Sequence, residues 1–372
     1  MKSETDDLSD EQYAVEARQT HVDDFDKLQP LPVHEGIKSY LKSKERDISG
    51  KTRQEYRTKL EFFAEYCDSI GLENLNNVNG RVINQFKNWR AAGSSDSSKM
   101  LSNKTMQDNL YLLRDFIRHL EKIEAVYRGT AQKVEIPNLK PGEGVRNVEL
   151  GSDRLEDILD YLATYSYASL EHVVIALCAQ SGRRIGGIHS LDLDDVHIDR
   201  DNPYIEFIHR GNSETRLKNG IEGEEQVNID SDLAELLSSY IENTRIEQCV
   251  NGRNPLLTTR FGRIGKSTIR SYFYRWTRPC KIGKECPDNR EESSCEAACD
   301  KDNASKCPAS EAPHAARHGY LTEMLRQGVP PEVISDRCDI TEEVLREVYD
   351  ERSTKEKRKS RRSLLEESGV LD

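Results

Sequence analysis

The sequence has no apolar run long enough to cross a membrane. Its longest apolar stretch, residues 172–179, covers eight positions, whereas a transmembrane helix needs about 20. The first 12 residues, MKSETDDLSDEQ, are acidic and lack the basic and apolar regions of a signal peptide. We therefore expect a cytoplasmic protein that does not associate with a membrane.

Apolar residues are scarce throughout, at 35% of the chain against 32% charged residues. This composition predicts amphipathic helices rather than helices buried on every side. With 372 residues, the chain is long enough for about two domains, each with its own core.

The chain also lacks the excess of basic residues that indiscriminate nucleic-acid binding requires. Its net charge is −12 and its pI is about 5.4. Two explanations would reconcile this charge with a nucleic-acid partner. The basic residues can be segregated, as in the basic island at 355–362, or the acidic surface can suit a salt-rich cytoplasm, where screening weakens charge repulsion. We favour the second explanation, because Asp occurs in nearly every loop.

The first part of the chain has the pattern of a helical bundle behind an acidic leader. Residues 1–30 are polar and without periodicity, which predicts a disordered leader. Between residues 31 and 130, apolar positions recur at helical spacing in four segments joined by polar loops. Ser49-Gly50-Lys51-Thr52 opens the second segment and Gly71 ends it. Residues 131–150, which contain Pro137 and Pro141-Gly142, are interpreted as a linker.

The second part, residues 151–355, combines helices with short strands. Ser152 is predicted to cap its first helix, and a buried helix ends at Gly182. Strand-like runs at 196–198, 204–208 and 226–229 are separated by turn signals, including Asn219-Gly220. We therefore predict a mainly α fold with a small antiparallel β-sheet.

Four motifs in this second part place cationic, imidazole and phenol groups in an order that suits chemistry on a phosphodiester. Cleavage without a metal requires a nucleophile, cations for the charge on the non-bridging oxygens, and an acid for the leaving oxygen. Arginine binds a phosphate through two parallel hydrogen bonds, and histidine donates hydrogen bonds or moves protons. The motifs are Ser181-Gly182-Arg183-Arg184, Lys218-Asn219-Gly220, His314-Ala315-Ala316-Arg317-His318 and the late Tyr349.

Each motif also has an ordinary structural interpretation. Arg183-Arg184 can be a solvated charge pair, Lys218 a hairpin tip, and the histidine cluster a helix cap after Pro313. Most of the 15 tyrosines should be core or interface residues, and we expect Tyr320 to pack within its helix. The joint occurrence of the four motifs favours the functional interpretation.

In this order the motifs resemble those of the tyrosine recombinase (phage-type integrase) family, and the acidic composition indicates the archaeal halophile type. The resemblance covers residues 33–362 and implies a two-domain clamp around double-stranded DNA. A helical core-binding domain of the SAM-like type would occupy 31–130, and a catalytic domain 151–355. The family's chemistry implies metal-independent cleavage and rejoining through a 3′-phosphotyrosine. The catalytic residues carried over are Arg184, Lys218, His314, Arg317 and Tyr349, with His318 secondary.

The resemblance also implies how DNA and a second subunit would be held. Lys104, Arg114 and Arg118, on the fourth predicted helix, would bind DNA. The basic tail at 356–372 would dock on a neighbouring subunit of a tetramer assembled on DNA. Without the resemblance, these charges are interpreted as solvated residues of a bundle and as a frayed terminus.

The sequence departs from the family pattern in two places. Members usually have Gly-His or a Trp about ten residues before the nucleophile, where this chain has Arg337-Cys338-Asp339-Ile340. An acidic residue commonly follows the first arginine, where this chain has Gly186 and Gly187. An ionised Asp cannot donate a hydrogen bond to phosphate. These departures keep two alternatives open: a catalytically silent DNA-binding protein of the same fold, and a monomeric, topoisomerase-like enzyme that uses the same residues.

Five of the nine cysteines crowd into an insert at 280–307, just before the histidine motif. The insert has almost no apolar residues for a core of its own, and thiolates around a tetrahedral Zn²⁺ would fix such a segment. A disulfide is disfavoured in a reducing cytoplasm, and unligated thiols are the remaining alternative. A possible structural zinc would be bound by Cys280, Cys286, Cys295 and Cys307, with Cys299 as the alternate ligand. No cofactor is expected for catalysis.

Overall fold

The computed structural model describes residues 28–93, 100–140, 143, 150–198, 201–211, 213–350 and 354–370. The chain divides into two compact units, Met1–Val145 and Arg146–Asp372. The predicted acidic leader lies outside the described residues except for its last three positions, and so does most of 141–149 in the predicted linker. No helix in the described part of the chain is long and apolar enough to span a membrane.

The described residues of the N-terminal unit form four α-helices, in agreement with the sequence pattern. They are α1 (Val33–Ser43), α2 (Gly50–Ser69), α3 (Gly80–Ala91) and α4 (Asn103–Lys122). The side chains of Ser49, Asn79 and Ser102 accept hydrogen bonds from the first turns of α2, α3 and α4, which satisfies backbone N–H groups that would otherwise lack partners. The predicted stop at Gly71 is confirmed, because this residue takes a left-handed φ of 67° just after α2.

The core of this unit is aromatic at its centre. Phe63 and Phe86 meet edge to face with ring centroids 5.2 Å apart, and Phe116 packs edge to face against Tyr40 at 5.6 Å. The buried Tyr40 donates from its hydroxyl to Asp115 Oδ2, 2.6 Å away. The tyrosine thus fills apolar space while its polar atom keeps a partner.

The helices of the C-terminal unit surround one fully buried helix. This helix, α6 (Leu170–Ser181), is buried at nearly every position, and α11 (Pro313–Arg326) packs against it. A helix that is apolar on all sides is expected only where other elements cover every face. The remaining helices of the unit are α5 (Ser152–Tyr165), α7 (Ile185–Ser190), α8 (Ser231–Asn243), α9 (Lys266–Trp276), α10 (Glu296–Cys299), α12 (Pro331–Cys338), α13 (Glu342–Val344) and α14 (Thr354–Glu367).

The predicted small antiparallel sheet is present in this unit. Strands β1 (Val196–His197), β2 (Tyr204–Phe207) and β3 (Glu225–Asn228) lie in that order, with Ile205 opposite Val196 on one side and Val227 on the other. Ile205 and Phe207 point into the core, whereas the alternate positions of β2 are half-buried. A second hairpin, β4 (Thr258–Thr259) and β5 (Gly262–Arg263), was not anticipated from the sequence.

One predicted boundary is wrong by a residue. Gly151 stands at the N-cap of α5 and Ser152 is the first helical residue, so the serine hydroxyl does not cap the helix. The start of α5 is fixed instead by a backbone hydrogen bond from Leu155 N to Gly151 O.

Two arginines join the cysteine-rich insert to the body of the unit. Arg154 of α5 donates to the carbonyl oxygens of Thr277 and Ala309, which lie on either side of the insert. The buried Arg278 donates to the carbonyl oxygen of Ala297 inside it. These contacts satisfy main-chain acceptors that the insert's short helices leave free.

Candidate active site

The first arginine motif begins where α6 ends. Gly182 has a left-handed φ of 64°, and the chain turns there so that Arg184 precedes α7. A glycine tolerates this conformation without the steric cost that a Cβ imposes. Arg184 is half-buried and donates from Nη1 to Asp339 Oδ2, 2.7 Å away.

Arg317 lies beside this turn at the base of the site. It is 2% exposed and donates from Nη1 to the carbonyl oxygens of Gly182 and Cys338, at 2.7 and 2.5 Å. Burial and the neighbouring charge of Arg184 lower the pKa of Arg317 from its ordinary value. The two guanidinium groups are close, because both donate to the main-chain oxygen of Asp339. Two fixed cations in a low-dielectric pocket attract an anion far more strongly than the same cations in water.

The pKa of His314 is lowered by its surroundings. It occupies the first turn of α11 and keeps an exposed surface, yet the surrounding atoms are crowded enough that burial is the main cause of its lowered pKa. The charges of Arg317, His318, Arg184 and Lys218 lower this pKa further. Burial and these positive charges together favour a neutral ring at His314.

Lys218 stands on an exposed turn between β2 and β3. Its neighbour Leu217 is buried, while Asn219 donates from Nδ2 to Asp339 Oδ1, 2.7 Å away. Gly220 follows with a φ of 67° and begins a 3₁₀-helix, Gly220–Gly223. The lysine is therefore exposed on a segment that is attached to the protein on either side.

Tyr349 ends a π-helical segment, Leu345–Tyr349, and is 4% exposed. Its ring packs on that of His318 with centroids 4.7 Å apart. His318 is next to Arg317 on α11. Tyr320, in contrast, packs with Leu321 and Leu325 of its own helix, as expected.

One ring nitrogen of His318 is buried without a hydrogen-bond partner among the described residues. The Nδ1 atom lies 3.4 Å from Thr322 Oγ1, whereas Nε2 is the nitrogen without a partner in the described part of the chain. A buried polar atom without a partner costs about 1–3 kcal/mol. The Tyr349 ring packs beside this imidazole.

Three residues of the site were not identified from the sequence as partners of the arginines. Arg183 is buried over the Phe207 ring, and burial lowers its pKa to about 10. Arg337 donates from Nε to the Tyr320 hydroxyl and from Nη2 to Gln180 O, which uses two of its five N–H donors. Asp339 pairs with Arg184. No local sequence pattern indicates these contacts, because the residues that form them are up to about 155 positions apart in the chain.

The candidate DNA-binding residues share one side of α4. At 100° per residue, Lys104, Arg114 and Arg118 fall within an arc of about 80°, opposite the buried face. Lys104 pairs with Asp108 at 2.9 Å, Arg114 lies over the Tyr111 ring at 5.0 Å, and Arg118 is exposed. The helix therefore presents a polar, partly basic face to solvent.

Four of the five insert cysteines line one cavity. Cys280, Cys286, Cys295 and Cys307 surround a space of about 20 Å³, and Cys299 lies outside it. All nine cysteines are free thiols. Burial and nearby negative groups, Cys307 and Cys295 among them, raise the pKa of Cys280. In the part of the chain that is described, no three His, Cys, Asp or Glu side chains are already arranged to hold a metal ion.

Comparison with known proteins agrees with this architecture. Residues 37–124 match the family model of the phage integrase N-terminal SAM-like domain. No curated protein sequence matches the chain significantly.

Solved structures extend the likeness to both units. The Tn1549 transposon integrase in complex with a circular intermediate DNA is 13% identical, with a TM-score of 0.63 over 90% of this chain and 99% of that one. XerH recombinase bound to its difH substrate is 14% identical, with a TM-score of 0.59 over 96% and 91%. A lambda integrase dimer bound to a core site is 14% identical, with a TM-score of 0.57 over 92% and 89%. The chain thus has the mainly α, two-domain fold of tyrosine recombinases, as the sequence predicted.

Proposed function

We propose that this chain is a cytoplasmic, site-specific DNA recombinase or integrase of the archaeal halophile type, which cleaves and rejoins double-stranded DNA through Tyr349. One observation carries the proposal. Tyr349, the only candidate nucleophile of the motif set, packs against His318, the residue next to Arg317 on α11. Arg317 and Arg184 both donate to the main-chain oxygen of Asp339. These contacts support a single site for the three functions that phosphodiester cleavage requires.

In the proposed reaction the Tyr349 oxygen forms a bond to phosphorus as the bond from phosphorus to the 5′ oxygen breaks. The proton of Tyr349 passes to the His318 imidazole, whose Nε2 is available. Lys218 gives a proton to the leaving 5′ oxygen, and Arg184 and Arg317 bind the non-bridging oxygens. The products are a 3′-phosphotyrosine and a free 5′-hydroxyl, and rejoining reverses each step.

His314 adds a polar contact without adding a charge. Because its lowered pKa keeps the ring neutral near pH 7, it can donate one hydrogen bond to a non-bridging oxygen. The two arginines already supply two positive charges to a phosphodiester that carries one negative charge, so a neutral donor suits the balance of the site.

The partners follow from the same proposal. Double-stranded DNA would contact the basic side of α4 through Lys104, Arg114 and Arg118. A tetramer assembled on DNA would use the tail at 356–372. Helix α14 (Thr354–Glu367) covers most of this tail. A structural Zn²⁺ bound by Cys280, Cys286, Cys295 and Cys307 is proposed for the insert, supported by the cavity that these four thiols share.

Covalent trapping tests the reaction class. DNA flanking the protein's own gene, nicked so that religation fails, is incubated with wild type and with Tyr349→Phe at low and molar salt, then run on a denaturing gel. We expect an adduct with the wild type alone. Tyr320→Phe is the matched control, because it removes a hydroxyl from the same apolar cluster and should leave the adduct intact.

Two results would contradict the proposal. An adduct that persists in Tyr349→Phe would exclude this residue as the nucleophile. DNA binding with no adduct at any salt and with any flank would favour the alternative, a catalytically silent DNA-binding protein, which the departure at Asp339 motivates.

A further inference from the structure

The Asp339 carboxylate joins the two halves of the candidate site. Its Oδ2 accepts from Arg184 Nη1 at 2.7 Å, and its Oδ1 accepts from Asn219 Nδ2 at 2.7 Å. Its main-chain oxygen accepts from Arg184 Nη1 at 2.5 Å and from Arg317 Nη2 at 3.5 Å. One residue thereby contacts both arginines and the turn that carries Lys218.

The backbone at Asp339 is arranged around this side chain. The residue ends α12 with a left-handed φ of 53°, a conformation that glycine adopts without cost and that a residue with a Cβ adopts less easily. Its carboxylate is 10% exposed. Gly223 comes so close that a Cβ there would lie 3.1 Å from Asp339 Oδ1. A strained backbone, a buried charge and a close glycine together favour a role for the carboxylate itself.

We infer that Asp339 is a positioning residue of the active site, which holds Arg184 for the phosphate and, through Asn219, holds the turn that presents Lys218 to the leaving oxygen. This inference rests on the proposed function. Ion pairing fixes the direction of a guanidinium, and the Arg184 side chain retains donors for a phosphate after Nη1 is used. The Asn219 bond limits the movement of the exposed Lys218, so that the acid and the phosphate clamp keep one relative position.

The opposite role for the same carboxylate is a measurable alternative. If Asp339 merely occupies the place of the phosphate, its removal will free the arginines and accelerate cleavage. If it positions Arg184 and Lys218, its removal will slow cleavage. The two roles thus predict opposite changes in the cleavage rate when the Asp339 carboxylate is removed.

Asp339→Gly is the variant of choice, because the relief of the left-handed φ offsets part of the stability lost with the Arg184 ion pair. We expect a folded variant with a loss of adduct formation on the order of 100-fold, the size of effect that a small misplacement of catalytic groups produces. Asp339→Asn keeps an acceptor without the charge and should fall between wild type and Asp339→Gly.

A substrate with sulfur in place of the 5′ bridging oxygen distinguishes the contribution of the Asp339–Asn219 contact from that of the Asp339–Arg184 contact. Its leaving group is a thiolate, with a pKa of about 8.5 for an ordinary thiol, which departs without a proton. Attack by Tyr349 then breaks the bond from phosphorus to sulfur, and Lys218 is not needed. On this substrate Asn219→Ala should recover fully, Asp339→Gly only in part, and Arg184→Ala not at all.

Each outcome decides the inference. A wild-type adduct with Asp339→Gly as active as the wild type, or faster, would overturn the positioning role while the proposed function survives. Equal losses of Asp339→Gly on both substrates, with Asn219→Ala fully active on the oxygen substrate, would overturn the link to Lys218. The absence of a wild-type adduct on either substrate would overturn the proposed function and this inference together.

Discussion

Arg317 donates from Nη1 to the carbonyl oxygen of Gly182, 2.7 Å away, so the residue that ends α6 is bonded to the buried arginine of α11. The same glycine turns the chain toward Arg184. The position of both candidate phosphate-binding arginines therefore depends on one left-handed residue, and Gly182 has no room for a side chain. A Cβ there would lie 2.5 Å from the Tyr320 ring and 2.7 Å from Cys338 Sγ.

Substituting Gly182 with alanine should damage the fold and the site together. The strained φ and the overlap with Tyr320 and Cys338 should lower the free energy of unfolding by about 2–4 kcal/mol. Because Arg184 and Arg317 would shift with the turn, adduct formation should fall at least about tenfold even where the variant remains folded. Urea denaturation and covalent trapping measure the two effects.

Gly71→Ala is the control for this prediction. Gly71 also follows a helix with a positive φ, 67°, but a Cβ there meets no atom within 4 Å. It should cost only the conformational strain of about 1–2 kcal/mol. Equal losses in both variants would show that crowding around Gly182 is unimportant.

The sequence predicted the elements well because their signals are local. Helical periodicity located α1 to α4, Gly182 marked the end of α6, and three alternating runs gave β1 to β3 to within a residue. The two-residue strands β4 and β5 are too short to show periodicity, and they were missed.

The candidate site was predictable only in part. The motifs named Arg184, Lys218, His314, Arg317 and Tyr349, whose roles remain proposals. Of these, Arg184 and Arg317 share the main-chain oxygen of Asp339. The partners that hold them were not predictable. From the sequence, Asp339 was interpreted as a position where a hydrogen-bond donor is missing. Nothing near it in the sequence shows that its carboxylate pairs with Arg184, 155 positions earlier.

The basic side of α4 should determine DNA affinity more than DNA sequence preference. Lys104→Ala and Arg118→Ala each remove one cation from the exposed face, and each lost phosphate contact should reduce the slope of log K against log salt by about 0.9. Measured across a salt series, binding should weaken alike for specific and unrelated duplexes.

Arg81→Ala serves as the control for the α4 variants. Arg81 is also an exposed arginine of the N-terminal unit, but it lies in the first turn of α3. A salt slope that changes equally in Arg81→Ala would mean that DNA senses the charge of the whole unit rather than a surface on α4.

Zinc analysis discriminates among the cysteines of the insert. Protein purified with zinc present should contain about one equivalent of metal, since four thiolates complete a tetrahedral site. Serine in place of Cys280, Cys286, Cys295 or Cys307 should each lower the zinc content and the melting temperature, whereas Cys299→Ser should change neither, because Cys299 is outside the shared cavity.

A chelator should lower the melting temperature only of protein in which all four proposed zinc ligands are intact. The insert has few apolar contacts, so metal binding would supply much of the free energy that orders it, and removing the metal from the wild type should lower its melting temperature. Cys299→Ser should respond to the chelator as the wild type does, and Cys280→Ser should not respond. Wild-type protein that contains no zinc, or a Cys299→Ser variant that loses it, would contradict the ligand set.

Because the insert ends just before α11 begins, zinc loss in Cys280→Ser should also slow cleavage by Tyr349 if the insert helps to hold His314 and Arg317.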